Sequence, residues 1–517
     1  MKLCRPISRT SLSRILLVFV AIFLTLCIGH VRPAHSASEP GTVTIVLETE
    51  PPNLDPGDTE QKGTGQVLMK NVVEPLVEVN PNDGKILPRL ATSWKQIDRN
   101  TWQFFLRKGV KFHDGKDFNA EAVIFSIKRI YNKKIDSKSR SKYFSHFQME
   151  SKALNSHTVE IKTDKFEPLM LSLMGVLPIC SPDTSFDVWT RQPVGTGPYK
   201  LVKWDVGTQI LLERFGGYWG KKPPVQKAIY LWRSEPSVRA TMVLIGEADL
   251  VLNIAKQDAN RPDMDSSYLN SDTLGLRMAT WEPPFNDRRV RMALNYAVDR
   301  DAIRGSILSK DVIPATQLVV PNIFGHNPNL KVGPYDLKMA KKLLDEARKD
   351  GVPVDKEILL LGRAGYFPGS DELMEAVMAM FKDVGLNVKL KTIESSVMRT
   401  YRYKPFPKNA GPYIVELMHD NNAGDAVFTC FFNYHCQGNT SFMCDKTVDD
   451  LIDRAQVATG EERRKLWQSA FKRVHEEVVP EIMLFHMVAH ARVGKRINFK
   501  PLFTSILELP LEQISFK

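Results

Sequence analysis

The chain has 517 residues, of which 43% are apolar and 25% charged. That is enough apolar sequence for large cores and more than one domain, and it excludes an intrinsically disordered protein. Five of the 70 Lys and Arg residues fall in the first 36 positions, which hold no acid, so only 6 of the +11 net charge belongs to the rest. Spread over a large surface, that excess gives no reason to expect a nucleic-acid partner.

The first 36 residues read as a signal peptide. Lys2, Arg5, Arg9 and Arg14 form a basic region, and Ile15–Ile28 is an apolar core, short for a membrane span. Ala34-His35-Ser36 supplies small residues for cleavage before Ala37. An uncleaved anchor is the alternative reading. Export removes two of the six cysteines and leaves Cys180, Cys430, Cys436 and Cys444. An oxidising compartment permits disulfides, and three of these four lie in one short stretch. A Cys436–Cys444 bridge is expected, with a bridge through Cys430 or free buried thiols as alternatives. The spacing matches no paired zinc motif, and no metal site is expected.

In chain order, Thr42–Leu47 opens the mature protein as a strand, and Glu50-Pro-Pro-Asn-Leu-Asp-Pro56 follows as a rigid loop. A helix is expected from Gln66 to Val79. Trp102–Leu106 is a strand, and Phe112-His-Asp-Gly-Lys116 a turn beyond it. Asn119 caps a helix with Val123, Ile127, Ile130 and Tyr131 on one face. Lys133, Lys134, Lys138, Arg140 and Lys142 form a basic, serine-rich patch, read as solvated surface. Val159–Ile161 and Leu250–Leu252 are strands. Val194–Leu201 is a glycine-rich turn leading into a strand; it lacks the helix and Lys-Ser/Thr pair of a phosphate-binding loop. Asp287 caps a helix over 288–298, Asp299 starts another through Ile303 and Ile307, and Asp336 caps a third that stops at Gly351.

Glu357–Leu361 is an apolar run read as a buried strand, followed by the loop 362–369. Ser370 is the expected N-cap of the next helix, Gly385 its stop, and Leu386, Val388 and Leu390 alternate as a strand. Strand–helix–strand connectivity makes parallel neighbours. Ligands of open α/β sheets collect at the carboxyl ends of strands, and Arg363 sits just past one, where its guanidinium can hold a carboxylate or phosphate by two parallel bonds. Tyr413–Met418 is a strand leading to the loop 419–425. Helices are expected from Thr447 and, behind the capping box Thr459-Gly-Glu-Glu462, up to Pro480; Ile482–Met487 is a final strand.

Catalytic patterns are missing. There is no Gly-x-Ser-x-Gly elbow, and His475-Glu-Glu-Val-Val479 has valine where a zinc protease needs its second histidine. An exported hydrolase acting on a small solute in the same cleft is the alternative to a binding protein.

Several segments, taken together and in order, carry a resemblance over essentially the whole mature chain. They are Glu50–Pro56, Phe112–Lys116, Gly195-Thr-Gly-Pro-Tyr-Lys200, Gly217-Tyr-Trp-Gly220 and Val290–Arg300. The chain resembles the large periplasmic solute-binding proteins of ABC importers, in the peptide- and nickel-binding family. The resemblance implies a non-enzymatic α/β fold without cofactor, with mixed sheets and two lobes joined by a hinge. It would close over a small-molecule solute, as a monomer in the periplasm, and pass it to the ABC transporter permease subunits at the inner membrane. The implied organisation is lobe I over 37–279 with an inserted subdomain over about 79–186, lobe II over 280–490, and a return to lobe I over 491–517. Pro283-Pro284 fits a rigid segment beside the hinge.

Within that resemblance, Arg363 corresponds to the arginine that meets the ligand carboxylate in dipeptide binders. The aspartate that holds the peptide amine lies in a loop matching 420–425. An ungapped match puts Asn422 at that position, and Asp420 reaches it only by a loop shift. A neutral Asn422 gives up the charge-assisted bond to an ammonium, which leaves opines, sugar derivatives and metal chelates open beside peptides. The candidate ligand-binding set is Arg363, Tyr366, Asp420, Asn422 and Asp425.

Overall fold

The computed structural model describes residues 39–80, 85–135, 137–182, 184, 189–420, 424–502, 504 and 507–517. The expected signal peptide and Asn422 lie outside the described residues. No helix among those described is long and apolar enough to cross a membrane.

The fold is a two-lobed α/β architecture built around one large mixed sheet. Its main strands, numbered within that sheet, are β1 Thr42–Leu47, β2 Tyr199–Asp205, β3 Gln209–Arg214, β4 Lys227–Trp232 and β5 Leu250–Ile254, then β6 Asp265–Met278, β7 Ile358–Arg363, β8 Val388–Ile393, β9 Tyr413–Asp420 and β10 Glu481–Val493. Their spatial order is β8-β7-β9-β6-β10-β5-β1-β4-β3-β2. β7 runs parallel to both β8 and β9, as the strand–helix–strand reading expects, and β1 runs parallel to β4. The long antiparallel pair β6 and β10 lies in the middle and serves both halves.

One core lies under β1, β3 and β4, with Val43, Ile45, Leu212 and Tyr230; the C-terminal Ala491, Leu509, Leu511 and Ile514 complete it. A second lies under β6, β7 and β10, with Leu276, Ile358, Leu360, Val377, Phe381 and Leu484. A separate antiparallel sheet, Ala91–Asp98, Thr101–Leu106, Thr158–Thr163 and Met149–Asn155 in spatial order, packs on the helix Ala120–Ile130 through Phe104, Val123, Ile127 and Ile161. The Asn119 side chain accepts from the Glu121 and Ala122 amides at the start of that helix, satisfying donors the helix itself cannot.

Several local expectations are corrected. The helix expected over 66–79 is a short one over Lys62–Leu68, followed by the strand Val77–Val79. Lys70, at φ 63°, turns the chain out of helical geometry between them. Asp299 caps a helix that ends at Ile303. Ser370 is not the N-cap: Gly369, at φ 88°, holds that position, and Ser370 is the first helical residue of Ser370–Asp383. The helix expected from Thr447 starts one residue earlier, as Lys446–Val457, with Asp445 as its cap. Thr459 precedes Gly460–Arg473 without making a side-chain cap bond.

The segments that carried the resemblance hold the fold together. Gly195 and Gly197 lie so close to the Asn71-Val72 backbone that a Cβ on either would overlap a carbonyl oxygen. The Val194–Leu201 turn is therefore a close backbone approach, not a phosphate cradle. His113 locks onto it: its amide donates to the Gly195 carbonyl at 2.9 Å, and its Nε2 lies 2.9 Å from the Gly197 carbonyl oxygen. Burial pushes this imidazole down to about 4, so it sits there neutral. Glu74, fully buried, accepts from Arg89 at 2.7 Å, Thr196 at 2.9 Å, Trp219 at 3.0 Å and Tyr218 at 3.1 Å. Asp55 pairs with Arg129 at 2.6 Å, both buried, and ties the loop at 50–56 to the helix of the separate sheet. Arg291 and Arg300 donate to the Val478 and Met483 carbonyls.

Candidate solute site at the ends of strands β7 and β9

Parallel strands β7 and β9 are neighbours, with β9 running on past the end of β7, and the carboxyl ends of such strands are where an open α/β sheet leaves a crevice. Arg363 is the last residue of β7, one step earlier than the sequence suggests. Its amide donates to Glu416 Oε2 at 3.0 Å, and Ser370 Oγ donates to Glu416 Oε1 at 2.8 Å. Glu416 is fully buried, and burial raises its pKa above the ordinary carboxylate range despite those two donors. This acid pins the end of β7 to the first turn of the following helix. It is the true partner of Ser370, and a lone glutamate inside the apolar run Tyr413–Met418 was the signal for it.

The Arg363 guanidinium lies over the Tyr366 ring, 3.0 Å from its centroid. The Tyr366 hydroxyl is fixed in turn: it accepts from the Met418 amide at 3.0 Å and lies 3.2 Å from the Met418 carbonyl oxygen, to which it donates. Tyr366 thus acts as a platform, clamped to β9. Arg363 Nε is buried and has no hydrogen-bond partner among the described residues. Desolvation lowers the Arg363 pKa, and nearby Arg402 pushes the same way. The result is a guanidinium held in place by stacking, with a donor unsatisfied.

Asp420 is the last residue of β9 and half exposed. Lys142 Nζ lies 3.6 Å from Asp420 Oδ2 and 2.8 Å from Glu60 Oε2. Lys142 lies at the surface, as the sequence suggests, but it is also paired. Its ammonium meets acids from two other parts of the chain. The sequence hint was local, since Tyr143 and Phe144 beside it are both buried. Asp272, in β6, stands directly across from Asp420. Nothing in the sequence pattern marks a strand over 265–278, because Asn270, Ser271 and Asp272 interrupt any alternation.

Asp425 leaves the candidate set. It is buried, and Arg463 Nε and Nη2 take its two oxygens at 2.9 Å each, while the Val427 amide donates to Oδ1 at 2.8 Å. A carboxylate so engaged anchors the helix Val427–Tyr434 and has little left to offer a solute. Cys436 and Cys444 form a disulfide, and Cys430 and Cys180 are buried free thiols.

Residues 85–438 match the model of the bacterial extracellular solute-binding proteins, family 5 middle region. The chain is 27% identical over 464 residues to the dipeptide-binding protein of Escherichia coli (strain K12), covering 82% of this chain and 85% of that one. It is 28% identical over 464 residues to heme-binding protein A of Haemophilus influenzae, covering 83% and 84%. The structure of HbpA2 from Haemophilus parasuis superposes with a TM-score of 0.80 at 22% identity, over 92% of this chain and all of that one. The family match spans well over half of the chain, and the protein belongs to the bacterial extracellular solute-binding proteins of family 5, the solute-binding components of ABC importers rather than enzymes.

Proposed function

We propose that the protein captures a small polar solute bearing an anionic group, holds that group on Arg363, and delivers the solute to the permease subunits of its importer. The observation that carries this reading is Arg363 itself. Its guanidinium is stacked on the fixed Tyr366 ring at the end of β7, and its buried Nε has no hydrogen-bond partner among the described residues. A desolvated, pre-positioned fork is suited to a carboxylate or a related oxyanion. Tyr366 is the supporting wall, and Asp420 ends the neighbouring strand β9. A peptide, an opine-like compound and a chelate with a free carboxylate all meet this requirement.

In this reading lobe I spans 37–279 with an inserted subdomain over about 79–186, lobe II spans 280–490, and 491–517 returns to lobe I. The placement of Ala491 to Ile514 in the core with β1 supports that return. The break in register between β6 and β10, between Leu269 and Thr273, supports a hinge there. The protein works as a monomer in the periplasm, exported by the segment 1–36.

Mass spectrometry of solute released from the purified protein identifies the ligand class. Titration calorimetry with that solute on Arg363→Ala should show affinity lost by roughly tenfold to a hundredfold, the range for a charge-assisted bond of about 1.5–3 kcal/mol. Arg363→Lys should recover only part, because a point charge does not reproduce the planar fork. Wild-type affinity in a folded Arg363→Ala protein excludes this role.

A further inference from the structure

We infer that Lys142 is a selectivity residue: a tethered ammonium that fills the acidic side of the cleft, so that the chain takes an anionic solute in preference to one that brings its own ammonium. This rests on the reading of Arg363 as the anion-holding group, and it assigns the opposite wall.

Two stretches distant in sequence converge on Lys142. Its Nζ is 2.8 Å from Glu60 and 3.6 Å from Asp420. The neighbouring Tyr143 hydroxyl donates to the same Glu60 oxygen at 2.9 Å. The Tyr143 ring meets Phe428 edge-on at 5.9 Å, so an apolar contact flanks the ionic one. The turn Arg140–Phe144, on the chain between the strands of the separate sheet, is thus seated against the end of β9.

Acids outnumber Lys142 on this side, and its ammonium offsets part of their charge. Glu60 and Asp420 face its ammonium, and Asp272 stands across the strand pair from Asp420. Lys62 also faces Asp272, but it is engaged with Glu48 at 2.9 Å. Burial works against the Lys142 charge, yet Glu60 and then Asp420 outweigh it and raise the pKa above the ordinary ammonium value, so the cation is permanent. An incoming ammonium would have to displace it, whereas an anionic group meets Arg363 at the end of the adjacent strand unopposed. Without Lys142, three carboxylates would face the cleft and draw a cation.

Three probes of one scaffold separate the charges: alanyl-alanine, N-acetyl-alanyl-alanine, which lacks the ammonium, and alanyl-alaninamide, which lacks the carboxylate. Calorimetry with each, on wild type, Lys142→Met and Lys142→Arg, reads the ratio of amide to N-acetyl affinity. Wild type and Lys142→Arg should both favour the N-acetyl probe. Lys142→Met should shift the ratio toward the amide by about fivefold or more, as expected for partly exposed charges. Lys142→Gln is the second variant should methionine perturb the fold, and the same shift is expected of it. A ratio in the neutral variants within about twofold of wild type, or no binding of the amide by either, overturns the inference. Arg363 is judged separately, by loss of the N-acetyl probe in Arg363→Ala. An amide gain in Lys142→Met alongside unchanged N-acetyl binding in Arg363→Ala would sink the Arg363 reading and leave Lys142 standing.

Discussion

Asp272 and Asp420 are direct partners across the antiparallel strands β6 and β9, so two carboxylates share one face of the sheet at neighbouring positions. The pair sits where β6 changes register with β10: Leu269 is opposite Val488, but Thr273 is opposite His486. Burial first, and the Asp420 charge second, raise the Asp272 carboxyl to about 7, with Lys62 opposing. An acid that titrates near neutrality therefore lies in the strand that joins the two halves of the molecule.

The sign of its effect on stability follows. A carboxyl raised above its unfolded value binds more protons in the folded state, so its contribution falls as pH rises from about 4 to about 7 and is flat above. His113, His326 and His419, each held down near 4 by burial, act in the opposite sense and lose stability as pH falls below about 6.5. Asp272→Asn should stabilise the protein at pH 8, by up to about 4 kcal/mol, and change little near pH 4. Urea unfolding at both values measures this. An equal effect at the two pH values would rule out the titration of Asp272.

Two arginines at different depths should behave in opposite ways. Arg277 is buried and donates to Glu481 at 2.7 Å, to the Thr440 carbonyl at 2.7 Å and to Asn433 at 3.0 Å. Arg277→Ala strands a buried carboxylate and should cost about 3–5 kcal/mol. Among the described residues the Arg363 guanidinium is engaged by stacking on Tyr366, so Arg363→Ala should move the stability of the empty protein by about 1 kcal/mol or less. Chemical denaturation without solute separates the two. A large loss at Arg363 would assign it to structure.

Gly195→Ala should be among the most damaging single changes outside the site. The added methyl group would overlap the Val72 carbonyl oxygen, and neither backbone can retreat without moving the His113 turn or the bonds to Glu74. A loss of about 3 kcal/mol is expected, read as a lower urea midpoint. A near-neutral substitution would show that this packing is looser than described.

The Cys436–Cys444 bridge closes a short loop. Replacing both cysteines by serine should cost about 2–3 kcal/mol through a less constrained unfolded chain. Cys430 and Cys180 are buried and should resist alkylation in the native protein but react fully in urea, alongside an unreactive 436–444 pair. Peptide mapping without reduction checks the pairing, and a linked Cys430 would contradict it.

Much of this protein is determined locally. The strands at 42–47, 101–106, 158–163, 358–363 and 388–393 follow from apolar runs and alternation. Asn119, Asp287 and Asp336 act as caps because side chain and amide lie within one turn of each other. The parallel pairing of β7 with β8 follows from the helix between them, and with it the placing of Arg363 at a strand end. What sequence could not decide is which partners meet across hundreds of residues. Asp425 looks as available as Asp420 until Arg463 closes on it. Lys142 looks like surface until Glu60 and Asp420 face it, and Asp272 belongs to no legible element until β9 and β10 flank it. Local structure depends on groups a few residues apart, which the sequence places directly. The charge state and availability of a side chain depend on burial and on partners that only the folded chain brings together.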